Sequence, residues 1–184
     1  MIYSIDKQIQ TTIKKEVFYI EGKIKIDSNY FIKKIEEGIS LPSSLNNQTN
    51  VRGCMTSWFY FMEDIEFQNL FTSIIGYIEN ETSFKDFLIS CPEWSLKEAW
   101  GLKETYGNYT KKHNHSAALI SGVIYLSNAK QELIFEELNT SVIPEEGKFV
   151  LFSSDLQHYA KRLLSNCVKY GIAFNIYEVK SKYV

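Results

Sequence analysis

Cysteine is scarce in this 184-residue chain: Cys54, Cys91 and Cys167 stand far apart, with no C-x-x-C and an odd total. That excludes a disulfide framework and a thiolate zinc site, and a reducing, cytoplasmic location is the expectation. A charge surplus is missing too. Twenty Lys and Arg against 22 Asp and Glu leave a net charge of −2, whereas a nucleic-acid binder usually carries a basic excess. No nucleic-acid partner is expected. Long apolar runs are also lacking. The stretch 70–78 is interrupted by Thr72, Ser73 and Gly76 and falls far short of the ~20 residues that span a bilayer. Residues 1–10 (MIYSIDKQIQ) carry no basic block followed by an apolar one, so they do not read as a signal peptide, and no membrane partner is expected. Histidine is the scarcest informative residue: only three occur, and two of them are separated by one position.

What is present suffices for a core. Apolar residues make up 45% of the chain and aromatics 15%, at a length that suits one domain. One domain over 1–184 is expected, with a strand and helix region at about 1–92 and a β core at about 93–180. Residues 16–26 (EVFYIEGKIKI) alternate and are rich in β-branched and aromatic residues, which predicts a strand. Asp27, Ser28 and Asn29 offer capping oxygens before Phe31, Ile32, Ile35 and Ile39, predicting a helix over 28–38 that Gly38 closes. Residues 40–53 read as a polar loop, and an apolar stripe from Ile65 to Ile75 predicts a second helix over 64–78. After Pro92 the pattern becomes short strands at 94–104, 117–126, 131–137, 148–153 and 167–179, with a type I turn at Pro144-Glu145-Glu146-Gly147. Strands at this spacing imply a sandwich or jelly roll, with the early helices packed on one sheet.

His113-Asn114-His115 is an H-x-H pair. Residues two apart on an extended strand share a face, so both imidazoles can reach one ion. His158 follows 43 residues after His115, at the end of a candidate strand and turn. Two ligands from one strand and a third from a distant one make a three-coordinate site with open positions; imidazole suits Fe, Zn, Cu and Ni alike. Structural zinc is disfavoured, since it takes a fourth ligand and commonly Cys. Against this stands the bland reading, in which such histidines are surface or satisfied core groups.

The segment Gly107-Asn108-Tyr109-Thr110-Lys111-Lys112-His113-Asn114-His115, followed by Leu119-Ile120-Ser121-Gly122-Val123-Ile124-Tyr125-Leu126, resembles the core of 2-oxoglutarate- and Fe(II)-dependent oxygenases of the prolyl-hydroxylase-like kind. In that family H-x-H or H-x-D precedes a strand reading S-G-V-Y-Y-L. Ile143-Pro144-x-x-Gly147-x-x-Val150-Leu151-Phe152-Ser153-Ser154-x-Leu156-x-His158 resembles the family's turn, strand and distal histidine. Lys169-Tyr170-Gly171-Ile172-Ala173-Phe174-Asn175, eleven residues after that histidine, resembles its R-x-S-I-S-F-N strand. The resemblance covers roughly 100–178 and rests on these elements occurring in order.

It implies a mainly β fold with flanking helices, a double-stranded β-helix (jelly roll) with the metal between its sheets. It implies that His113, His115 and His158 hold Fe(II), with 2-oxoglutarate as co-substrate, ascorbate as reductant, and O2 and a small-molecule or peptidyl substrate as partners. Lys169 stands where the family commonly has Arg to meet the distal carboxylate, and Tyr125 where relatives place a partnering tyrosine. Tyr106 and Ser121 are further pocket candidates. Tyr125 can equally pack in the core, and Lys169 can be a surface lysine.

Two features depart from the family. His115 stands where the usual triad has a carboxylate, and Lys169-Tyr170-Gly171 replaces the R-x-S fork with a point charge. Glu104, Glu136 and Asp155 are the carboxylates that could stand in. An alternative register, His115-Ser116-Ala117, matches the H-x-A of iron halogenases but fits the other spacings less well. Three readings remain open: a 2-oxoglutarate-dependent dioxygenase, a three-histidine cupin-like dioxygenase without 2-oxoglutarate, and a catalytically silent jelly roll that binds a metal, ligand or partner. Trp58, Phe59, Tyr60, Trp94 and Trp100 are candidates for a substrate entrance or for the core.

Overall fold

The computed structural model describes residues 17–79 and 93–179. The segment 1–10 and Cys91 lie outside those residues. In chain order the elements are β1 (Tyr19–Lys23), α1 (Ser28–Ile39), β2 (Val51–Arg52), β3 (Cys54–Met55), α2 (Ile65–Ile78), β4 (Trp94–Glu104), β5 (Tyr109–His113), β6 (Ile120–Tyr125), β7 (Leu133–Phe135), β8 (Thr140–Val142), β9 (Lys148–Ser153), β10 (His158–Ala160) and β11 (Lys169–Glu178). They form a six-stranded sheet, β1-β9-β6-β11-β4-β3, and a five-stranded sheet, β2-β5-β10-β7-β8, with antiparallel pairing throughout. This is the jelly roll.

Both helices begin where the sequence offers a carboxylate cap. Asp27 accepts from the Tyr30 amide at 3.2 Å and Asp64 from the Phe67 amide at 2.9 Å, each satisfying an otherwise orphaned N–H. Phe31 and Ile35 of α1, and Phe67, Leu70, Phe71, Ile74 and Ile75 of α2, recur at helical spacing and are buried. They pack on one face of the six-stranded sheet, against Ile124, Phe149, Leu151, Ile172, Phe174 and Ile176. Strand alternation sends the intervening residues the other way, so Val123, Tyr125, Val150 and Phe152 meet Phe135 and Val142 between the sheets. Gly122 is required by this arrangement: a Cβ there would lie 2.3 Å from the Phe174 ring.

The structure corrects several sequence expectations. The loop expected at 40–53 carries β2 at its end and continues into β3, two-residue strands too short to show a period. β5, β8 and β10 were not among the expected strands. The turn before β9 closes from the Lys148 amide to the Glu145 carbonyl at 3.0 Å, with Gly147 third at φ 78°, so it is a turn that needs a positive φ and not the type I turn expected one residue earlier. Among the described residues, no helix is long and apolar enough to cross a membrane.

Candidate metal centre

The chain leaves the six-stranded sheet at the end of β9 and enters the five-stranded sheet at β10. His158 is the first residue of β10 and lies directly opposite His113, the last residue of β5. His115 is past the end of β5, so the pair does not share one strand as the H-x-H spacing suggested. It is fixed instead by its backbone, whose amide donates to the Ser154 carbonyl at 2.7 Å while its carbonyl accepts from the Ala118 amide at 2.8 Å. The turn brings its ring back to the others. Ring centroids are 4.4 Å apart for His113 and His158, 4.9 Å for His113 and His115, and 5.2 Å for His115 and His158. One ring nitrogen from each lies within 4.8 Å of the other two.

These imidazoles are neutral. Burial depresses all three, His115 to about 4 and His158 to about 3, with the neighbouring His113 pressing in the same direction. Nδ1 of His113 lies 2.8 Å from the Lys111 carbonyl and Nδ1 of His158 lies 3.0 Å from the Leu156 carbonyl. A carbonyl only accepts, so both Nδ1 atoms must donate, which leaves each Nε2 with its lone pair free. A neutral imidazole braced by a backbone carbonyl is what a metal-ligating histidine requires. Three such donors fit a divalent transition ion with positions left open.

No carboxylate completes the cluster among the described residues. Glu136 is on the surface, paired with Lys112. The Asp155 backbone carbonyl receives the Asn114 amide at 3.5 Å. Glu104 lies elsewhere in the same cavity.

That cavity runs between the sheets and offers about 70 Å³ to the centres of water-sized groups, several times what one water needs. Trp100, Leu102 and Glu104 enter it as the inward-facing residues of β4, and Lys169, Gly171, Ala173 and Asn175 as those of β11. Lys169 and Glu104 are register partners and form an ion pair with side chains 7% and 1% exposed. Thr110, three residues before His113 on β5, donates its hydroxyl to Glu104 at 3.3 Å. The pair therefore sits roughly 10 Å of strand from the imidazoles, at ~3.3 Å per residue. Tyr125 is buried on β6 and faces the cavity; its phenol is pushed up, first by burial and then by the charge of Glu104. Ser121, also inward on β6, donates to Asn175 at 2.7 Å, and Asn175 donates to Glu98 at 2.6 Å. Tyr106 is 66% exposed and does not line the cavity. It lies in the turn between β4 and β5.

Of the aromatics, Trp100 lines the cavity 6.2 Å from the His115 ring, with Trp58 against it at 4.7 Å. Phe59 is exposed, and Tyr60 and Trp94 pack on the helix-bearing core. In the sequence Glu104 stands out only as a stray carboxylate, and Thr110 does not stand out at all. One signal could have found Glu104: it follows Trp100 and Leu102 at period two, an acid in line with two large apolar residues.

No protein-family model matches the chain, and no curated protein matches it. Solved structures do. The viral collagen prolyl hydroxylase vCPH of Paramecium Bursaria Chlorella virus-1, in its 2OG complex, is 17% identical over 90% of this chain and 98% of its own, with a TM-score of 0.67. A Pseudomonas putida prolyl-4-hydroxylase is 12% identical over 88% of this chain and 92% of its own, at 0.63. HygX of Streptomyces hygroscopicus, with nickel and 2-oxoglutarate bound, is 12% identical over 88% and 83%, at 0.57. The likeness establishes a shared jelly-roll fold.

Proposed function

We propose that this jelly roll, which shares its fold with 2-oxoglutarate-dependent oxygenases, is a non-haem iron dioxygenase. The reaction would couple oxidative decarboxylation of 2-oxoglutarate to hydroxylation of a C–H bond in a small-molecule or peptidyl substrate. The observation that carries the reading is the convergence of three neutral imidazoles, two of them braced by carbonyls, in a cavity that also contains a buried lysine. Bound Fe(II) and 2-oxoglutarate would supply the electrons that reduce and activate dioxygen, which side chains cannot.

The chain's own residues do the rest. His113, His115 and His158 hold the ion by three positions and leave others open. The Lys111 and Leu156 carbonyls keep the first and last rings in the ligating tautomer. All three ligands are uncharged, so the formal +2 of the ion is left for an anionic co-substrate to balance. Lys169 provides the cation for the far carboxylate, as a point charge rather than a planar fork. Tyr125, held protonated by burial, keeps a hydroxyl to donate beside it. Leu102, Val123 and Phe152 keep the walls between the two ends apolar and exclude water. Trp100, beside His115, borders the imidazole end of the cavity.

Anaerobic titration of the Fe(II)-loaded protein with 2-oxoglutarate tests this. A 2-oxoglutarate-dependent visible absorption change is expected, followed on admitting O2 by one succinate per 2-oxoglutarate consumed. Metal binding without any such change overturns it. One observation favours a second reading, a three-histidine dioxygenase in which the substrate itself chelates the metal: Lys169 already has a carboxylate partner in Glu104. The same titration separates the two.

A further inference from the structure

If the site takes 2-oxoglutarate, the reading on which this inference rests, the Lys169–Glu104 pair poses a charge problem. Lys169 contributes one positive charge and Glu104 one negative, so the pair is neutral before any ligand arrives. A dicarboxylate whose far end docks on Lys169 would bring a second carboxylate to the same ammonium, where both side chains of the pair are already buried. Two carboxylates at one buried cation leave an uncompensated negative charge, which burial makes costly.

Glu104 cannot easily step aside. Its side chain is 1% exposed, and the Gly53 backbone closes on its stem, since a Cβ built on Gly53 would lie 3.1 Å from Glu104 Cγ. Its carboxylate is held by Lys169 from β11 and by the Thr110 hydroxyl from β5. The other titratable groups facing the cavity are Tyr125 on β6, His113 on β5, and His115 and His158 beyond. β2 and the turn after it contribute Val51 and the Gly53 backbone.

We propose that Glu104 is a specificity-determining residue of this pocket, an internal carboxylate that admits a 2-oxo dicarboxylate only by taking up one proton. The dianionic ligand enters, Glu104 accepts a proton from solvent, and Lys169 stays an ammonium shared between the ligand carboxylate and the neutral acid. The charges at the Lys169 end then balance, the ligand's chelating carboxylate being left to the +2 ion, and the proton leaves when the dicarboxylate product does. A 2-oxo acid of the same length with a terminal methyl group, 2-oxopentanoate, brings no second charge and needs no proton.

Calorimetry of the anaerobic Fe(II)-loaded protein in two buffers of different ionisation enthalpy counts the protons directly. About one proton should be taken up per 2-oxoglutarate near pH 8, and none with 2-oxopentanoate, whose chelating end is the same. Affinity for 2-oxoglutarate should fall about tenfold per pH unit in that range. In Glu104→Gln the proton uptake and the pH slope should vanish, and 2-oxoglutarate should bind at least roughly tenfold more tightly at pH 8. Equal proton counts for the two ligands overturn the proposal on the unaltered protein alone, whether or not the variant folds. An unchanged affinity and slope in a folded variant overturn it as well, and both outcomes leave the dioxygenase reading standing. If the metal-loaded protein and the variant bind neither ligand, the dioxygenase reading itself falls and takes the proposal with it.

Discussion

The two polar regions of the inter-sheet cavity solve the problem of burial in opposite ways. The imidazoles are held neutral by burial, with Nδ1 of His113 and of His158 donating to carbonyls, so the Nε2 of each carries a lone pair. The Lys169–Glu104 region keeps both its charges and satisfies them internally. One region presents neutral donors that could hold a cation; the other is already closed upon itself. A neutral donor set costs little to leave empty, whereas a buried lone charge costs much, so only the charged region needs an internal partner.

Removing a histidine should break this contrast most completely in function and least in fold. His113→Ala or His158→Ala should reduce bound Fe(II) from one equivalent to near zero and abolish succinate formation. Circular dichroism and metal analysis on the same sample check both halves, and a variant that kept its metal would disprove the assigned ligands. Lys169→Ala should act on both. It strands Glu104 as a buried charge, which costs about 3–5 kcal/mol. In a protein of this size that corresponds to a Tm lower by roughly 6–20 °C. KM for 2-oxoglutarate should also rise roughly tenfold or more, and thermal melts with steady-state kinetics read the two effects.

Acid should expose the imidazole region alone, with the smallest effect. The ordinary histidine value is 6.5, and the folded protein holds His115 at about 4 and His158 at about 3. Below 6.5 the unfolded chain takes up protons that the folded chain refuses. The metal-free protein is therefore fully stable in this respect above 6.5, and loses stability as the pH falls through that window towards 3. Urea midpoints measured across it should decline, and His158→Gln should flatten part of the decline; parallel curves would contradict the buried, neutral state.

Much of the scaffold was legible because its elements are long or carry strong signals. β4 and β9 lie where short runs between polar turns placed them, and α1 and α2 begin at their aspartate caps and present the expected apolar stripes. The strands that escaped notice, β2, β3, β5, β8 and β10, have two to five residues each, too few to show a period. Two of them carry the site, for His113 closes β5 and His158 opens β10. His115 shows the same limit. The H-x-H spacing suggested a shared strand face, yet the ring reaches its neighbours through a turn tied to Ser154.

The sequence by itself determined the kind of chemistry available: three histidines, no thiolate cluster, and alternation strong enough to build two sheets around them. Residue type and short-range period are local properties, and a chain carries them openly. Only the tertiary structure decided which polar groups meet. Lys169 and Glu104 are 65 positions apart, and nothing local tells either that the antiparallel register of β11 on β4 sets them side by side. Burial then makes that meeting consequential, because charges that would be screened in water must balance each other where water is excluded.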